Sequence, residues 1–189
     1  MRTFTLMVVA AAVLLVGGCE QAEVKGVREG GVAVLTPGEF SAEVTFCRRV
    51  GTKTGKRIEI DEAFPVRDGS KYRYVYGFAD IADVPVDTDH QLHLIWIKPD
   101  GTELFRRFGT VRVTAVDDGY RTRLAWLDAE ALNDEDVEEP ISTERPLVSV
   151  SSRIDVRPER ERDLGAYTLK VYWNRELLTQ RSFELTAES

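Results

Sequence analysis

The chain has 189 residues, 30% of them charged, and a formal net charge of −7. That length suits one domain, and a domain of about 150 residues buries roughly 68–70% of its unfolded surface, enough for a core without metal or cystine. Net acidity argues against a nucleic-acid partner and against an electrostatic grip on anionic lipid.

Arg2 opens a short basic region, Leu6 to Val16 is unbroken apolar sequence, and the run ends in Leu14-Leu15-Val16-Gly17-Gly18-Cys19. This is the layout of a secretory signal peptide. Crossing the hydrocarbon core takes ~20 apolar residues, and Glu20, Glu23 and Lys25 stop the run short of that. The stretch resembles the lipobox of bacterial lipoproteins, although Val16 stands where Leu is commoner. The resemblance implies that residues 1–18 are removed and that Cys19 becomes a lipidated first residue in the cell envelope. It also implies a diacylglyceryl group and usually a third, amide-linked chain. One acyl chain binds marginally at ~0.8 kcal/mol per buried CH₂, whereas two or three make a lasting anchor to the membrane. Glu20, where Asp often marks inner-membrane retention in Gram-negative lipoproteins, implies the outer membrane, facing the periplasm.

Residues 20–31 are polar, aperiodic and end in Gly-Gly. With Cys19 they read as a flexible tether of 19–31, spanning about 19 Å at ~5.5 Å × √n. A single domain, 32–189, follows. Phe40, Ala42, Val44 and Phe46 alternate with polar residues, the period of a half-buried strand. After the polar turn Lys53-Thr54-Gly55-Lys56 comes Arg57-Ile58-Glu59-Ile60, and Asp68-Gly69 leads to the stripe Tyr72, Tyr74, Tyr76 and Phe78. Alternating with Lys71 and Arg73, that stripe is expected to face the core. Gln91 to Ile97 is apolar in both phases and predicts a central strand buried on both sides. Lys98-Pro99-Asp100-Gly101-Thr102 predicts a turn, with Pro presetting φ, Asp capping and Gly left-handed.

Val111, Val113 and Ala115 precede Asp118-Gly119. Read as a two-residue hairpin loop, this sets Val113 opposite Leu124 and Val111 opposite Trp126. The other face then carries Arg112, Arg121 and Arg123, a candidate surface for an anionic partner or simply a solvated outer face. Residues 128–139 hold seven acids and no base. They predict a solvated loop, because a Ca²⁺ loop needs a Gly to wrap the ion. Strand signal returns at 147–156, and Arg157 to Asp163 reads as a solvated turn.

Asp163-Leu164-Gly165-Ala166-Tyr167-Thr168-Leu169 resembles the D-x-G-x-Y approach to strand F of immunoglobulin-like domains, where the Tyr forms a tyrosine corner. Asn174-Arg175-Glu176 then turns the chain into Leu177 to Leu185. Trp96 resembles the core Trp of strand C, and Leu169 stands where antibody domains carry a Cys. The resemblance implies an all-β, immunoglobulin-like antiparallel β-sandwich of about eight to ten strands with no disulfide.

Chemistry is sparsely provided for. His90 and His93 are three apart and fall on opposite faces of a strand, unlike a metal pair. Cys47, the cysteine left once Cys19 is lipidated, reads as a small core residue. No nucleophile-elbow, zincin or P-loop spacing occurs. No catalytic residue, metal or cofactor is therefore expected. The expected function is a non-enzymatic envelope module that binds another envelope protein or serves as an accessory subunit. A lipoprotein binding glycan or a small ligand through an aromatic strand face is the alternative, and a Cys/His enzyme a third reading.

Overall fold

The computed structural model describes residues 40–127 and 141–187. Cys19, the tether and the acidic segment 128–139 lie outside the described residues. Eleven strands run through the described part: β1 (Ser41–Val50), β2 (Arg57–Ile60), β3 (Ala63–Pro65), β4 (Tyr74–Ala82), β5 (Asp89–Ile97), β6 (Glu103–Val116), β7 (Gly119–Trp126), β8 (Ile141–Thr143), β9 (Leu147–Asp155), β10 (Gly165–Trp173) and β11 (Glu176–Thr186). No helix among the described residues is long and apolar enough to cross a membrane.

The strands form two sheets, ordered β2-β1-β4-β9 and β3-β11-β10-β5-β6-β7-β8. In the lettering of variable-type immunoglobulin domains, β1, β4 and β9 are A, B and E. Strands β11, β10, β5, β6 and β7 are G, F, C, C′ and C″. The molecule is an immunoglobulin-like β-sandwich. All ladders are antiparallel except that of β3, which runs parallel to β11 with Phe64 opposite Leu185.

Two side chains fix the match to that fold. The Tyr167 hydroxyl donates to the Asp163 carbonyl at 2.9 Å, closing the tyrosine corner before β10. Trp96 is fully buried between the sheets, and its indole N–H donates across to the Ser152 hydroxyl on β9 at 3.0 Å. Leu169 lies opposite Trp96 on the neighbouring strand. A Cβ on Gly77 of β4 would come within 2.6 Å of Leu169 Cδ2 and 3.0 Å of the Trp96 ring. The space a cross-sheet cystine fills in antibody domains is thus taken by a leucine and an indole pressed onto a glycine.

Four expectations shift. The stripe on β4 is inverted: Val75, Ala79 and Ile81 are buried, while Tyr74, Tyr76 and Phe78 are half-buried on the outer face. The gap between the sheets takes small apolar groups opposite Trp96, and the larger rings find arginines outside. Arg73 and Arg153 lie 4.7 and 4.5 Å from the Tyr74 ring centre, and Arg57 lies 4.2 Å from that of Phe78.

Strand β5 is buried mainly on one side. Leu92, Leu94 and Trp96 are inaccessible, whereas on the other face Ile95 is buried, His93 and Ile97 are half-buried and Gln91 is exposed. The hairpin loop is Asp117-Asp118, one residue earlier than expected, with Val116 opposite Gly119 and Val111 opposite Leu124. Because the slip moves each partner by two places, the same residues still face inward: Val111, Val113, Leu124 and Trp126 are all buried. Cys47 is a free, buried thiol, but on the β1 phase opposite that of Val44 and Phe46, beside Tyr76 and Ile60. Burial raises its pKa, which keeps the sulfur protonated and a poor nucleophile.

The remaining turns follow the sequence. Asp100 Oδ1 accepts the Thr102 backbone N–H at 2.8 Å, and Gly101 takes φ 82°. Asn174 and Arg175 join β10 to β11 with φ of 49° and 74°, a primed turn that matches the strand twist.

Candidate functional site

The outer face of the seven-stranded sheet has no third layer among the described residues, so its side chains are set by strand alternation alone. Arg112, Arg121 and Arg123 all lie there and are exposed. Arg112 stands directly opposite Arg123, and Thr114 opposite Arg121. Like charges facing each other across a ladder repel. Asp89, opposite Arg112 on its other side, relieves the pair by accepting from Arg112 at 3.2 Å. Arg121 and Arg123 make no ion pair among the described residues.

Strand register adds a feature that the sequence reading missed. Leu177, Tyr172, His93 and Phe108 are successive cross-strand neighbours over β11, β10, β5 and β6. Leu127 extends the row by donating its backbone N–H to the Phe108 carbonyl at 3.0 Å. Three of these are large apolar side chains in solvent: Leu177 is 49% exposed, Phe108 38% and Leu127 61%. His93 stacks on Phe108 with centroids 6.0 Å apart and planes at 28°. Partial burial first, then the charges of Arg106 and Arg175, depress the His93 pKa, so the ring is neutral at pH 7. Basic residues flank the row on both sides: Lys170 and Arg106, the latter paired with Glu103 at 2.6 Å, and, beyond Gln91 and Thr110, Arg123 and the Asp89-paired Arg112. Apolar signal in both phases of Gln91 to Ile97 was the available clue.

The other constellations resolve into structure. His90 is buried: its Nε2 lies 3.1 Å from the Pro85 carbonyl and its Nδ1 3.2 Å from the Asn174 amide. Its ring packs 4.8 Å from that of Trp173, and His93 lies on the opposite face. Among the described residues no group of three His, Cys, Asp or Glu side chains could hold a metal ion. The rings of β4, the platform for a sugar in the alternative reading, already carry guanidinium groups, Tyr74 two of them.

No protein-family model matches the chain, and no curated protein matches it. Among the solved structures that are similar in part are the following two. An immunoglobulin-like protein from Pseudomonas aeruginosa is 13% identical, with 78% of this chain and 92% of that one covered and a TM-score of 0.32. An alkylpurine DNA glycosylase from Pseudomonas fluorescens, bound to DNA containing an abasic site analog, is 12% identical with a TM-score of 0.35. There 77% of this chain is covered, but only 31% of the glycosylase. Neither likeness bears on activity, and the fold rests on strand order, the tyrosine corner and Trp96.

Proposed function

We propose that this chain is a lipid-anchored, non-enzymatic module of the cell envelope that docks another envelope protein on the outer face of its seven-stranded sheet. One observation carries the reading: an exposed apolar row, Leu177 to Leu127, bordered on both sides by basic residues. Such a row in solvent marks an interaction surface, and its borders select a partner whose contact patch is apolar at the centre and acidic at the rim. The lipobox resemblance of Leu14 to Cys19 supports the address. The arginine-covered rings of β4 favour this reading over sugar binding.

A photo-crosslinking amino acid at Phe108 tests it in intact cells, with Ser151 on the outer face of the four-stranded sheet as the control position. One discrete protein adduct should form from Phe108 and not from Ser151, and Arg121→Glu with Arg123→Glu should reduce its yield roughly tenfold. Equal adducts from both positions, or a yield untouched by charge reversal, would remove the surface from consideration.

A further inference from the structure

His93 is third in the row of five that runs Leu177, Tyr172, His93, Phe108, Leu127, so it forms the centre of the outer face of the seven-stranded sheet. Alternation along β5 puts it on that face with Gln91 and Ile95, and it is half-buried there. Tyr172 flanks it on β10 and Phe108 on β6, with the Phe108 ring centre 6.0 Å away. Of the five side chains, the imidazole is the one whose charge can change near neutral pH.

Its surroundings favour the neutral ring. Two places along β5, Ile95 lies between Lys170 of β10 and Arg106 of β6. Arg175, in the β10–β11 turn, donates to Gln91 Oε1 at 3.4 Å. The charges acting on the ring are those of Arg106 and Arg175, both positive. Strands β5, β6 and β10 carry two acids between them, and both are engaged: Glu103 with Arg106 at 2.6 Å and Asp89 with Arg112 at 3.2 Å. Past Tyr172, Glu176 opens β11 opposite Trp173. The stack on Phe108 offers a protonated ring a π face, but at 6.0 Å it stands at the limit of that attraction.

We infer that His93 makes docking proton-sensitive: the neutral ring belongs to the apolar centre that the partner covers, and its protonation releases the partner. This rests on the docking reading above. A partner whose contact patch is apolar at the centre strips water from the imidazole and offers no counter-charge, and a charge so placed is costly. The docked state therefore excludes the proton, and binding and protonation compete for the same ring. Docking is complete at pH values where the ring is neutral and is lost as the pH falls through the His93 midpoint, by up to tenfold in affinity for each pH unit below it.

The test moves the photo-crosslinking amino acid to Leu127, which leaves the His93–Phe108 stack in place. Adduct yield is followed in isolated cell envelopes from about pH 7.5 down to about pH 5. The ring's own midpoint is read by NMR on the full-length chain in detergent. Yield should hold above that midpoint and fall below it, by up to tenfold per pH unit. His93→Gln, which takes up no proton in this range, should give a flat profile whatever its level at the upper end. A flat profile in the unaltered chain, an equal fall in His93→Gln, or a midpoint at or above the ordinary value of about 6.5 would each overturn the proton sensitivity and leave the docking face standing. No adduct at the upper end of the range would remove both.

Discussion

Gly77 shows how much one missing methyl group can decide. Leu169 Cδ2 could swing away from a new Cβ at 2.6 Å, but the Trp96 ring at 3.0 Å cannot, because its N–H is tied to Ser152. Overpacking of a filled core costs about 1–3 kcal/mol. Gly77→Ala is therefore expected to lower the unfolding free energy by that amount, read as a lower urea midpoint at unchanged m, and an unchanged midpoint would mean that the indole has room to shift. Arg48 poses the opposite problem, a charge placed where an apolar side chain would be expected. Nothing in its neighbours Cys47 and Arg49 announces that it points inward; only the phase set by Val44 and Phe46 does.

Among elements, β9 ends on a carboxylate that ties three segments together. Asp155 accepts from Arg157 at 2.8 Å and from Arg73 and Arg160 at 3.4 Å each, so the start of β4, the end of β9 and the following turn share one anion. The hydrogen bond from Arg157 is the main cause that holds its carboxyl well below the ordinary range. A folded-state pKa below the unfolded value of about 4 adds stability that is present above that value and lost as pH falls toward the folded one. Melting temperature should therefore drop below about pH 4, and Asp155→Asn should flatten that limb while lowering stability at pH 7. Most elements were legible in the chain because alternation and turn chemistry are local properties. Turn residues placed the β5–β6 and β10–β11 hairpins, and Tyr167 marked its corner. The phase of β4 was not legible, since Tyr74, Tyr76 and Phe78 are more apolar than Gly77 and Ala79. Which set turns inward depends on the bulk of Trp96 across the gap, a tertiary fact. The exposed apolar row is assembled from four strands and the residue after a fifth, so no stretch of sequence contains it.

For the whole molecule, the proposed anchor and the sandwich are separable. Cys19→Ser should leave an unlipidated precursor that keeps residues 1–18, without acyl labelling and with an unchanged melting temperature of the sandwich. Acyl labelling that survives would show that the lipid sits elsewhere. A lipid tether of the proposed kind would bring a hazard of its own, since copies held in a plane meet at high local concentration, and sheet edges are where β proteins stick to one another. The seven-stranded sheet ends on β3 at one side and β8 at the other, each three residues long. Each covers only three residues of its neighbour, Glu184–Thr186 of β11 and Tyr120–Thr122 of β7, so the rest of those two strands stays open along the edge. On the open length of β11 the charge of Arg181, held by the Val44 carbonyl and Glu62, is the kind of side chain that keeps an edge from pairing with another copy.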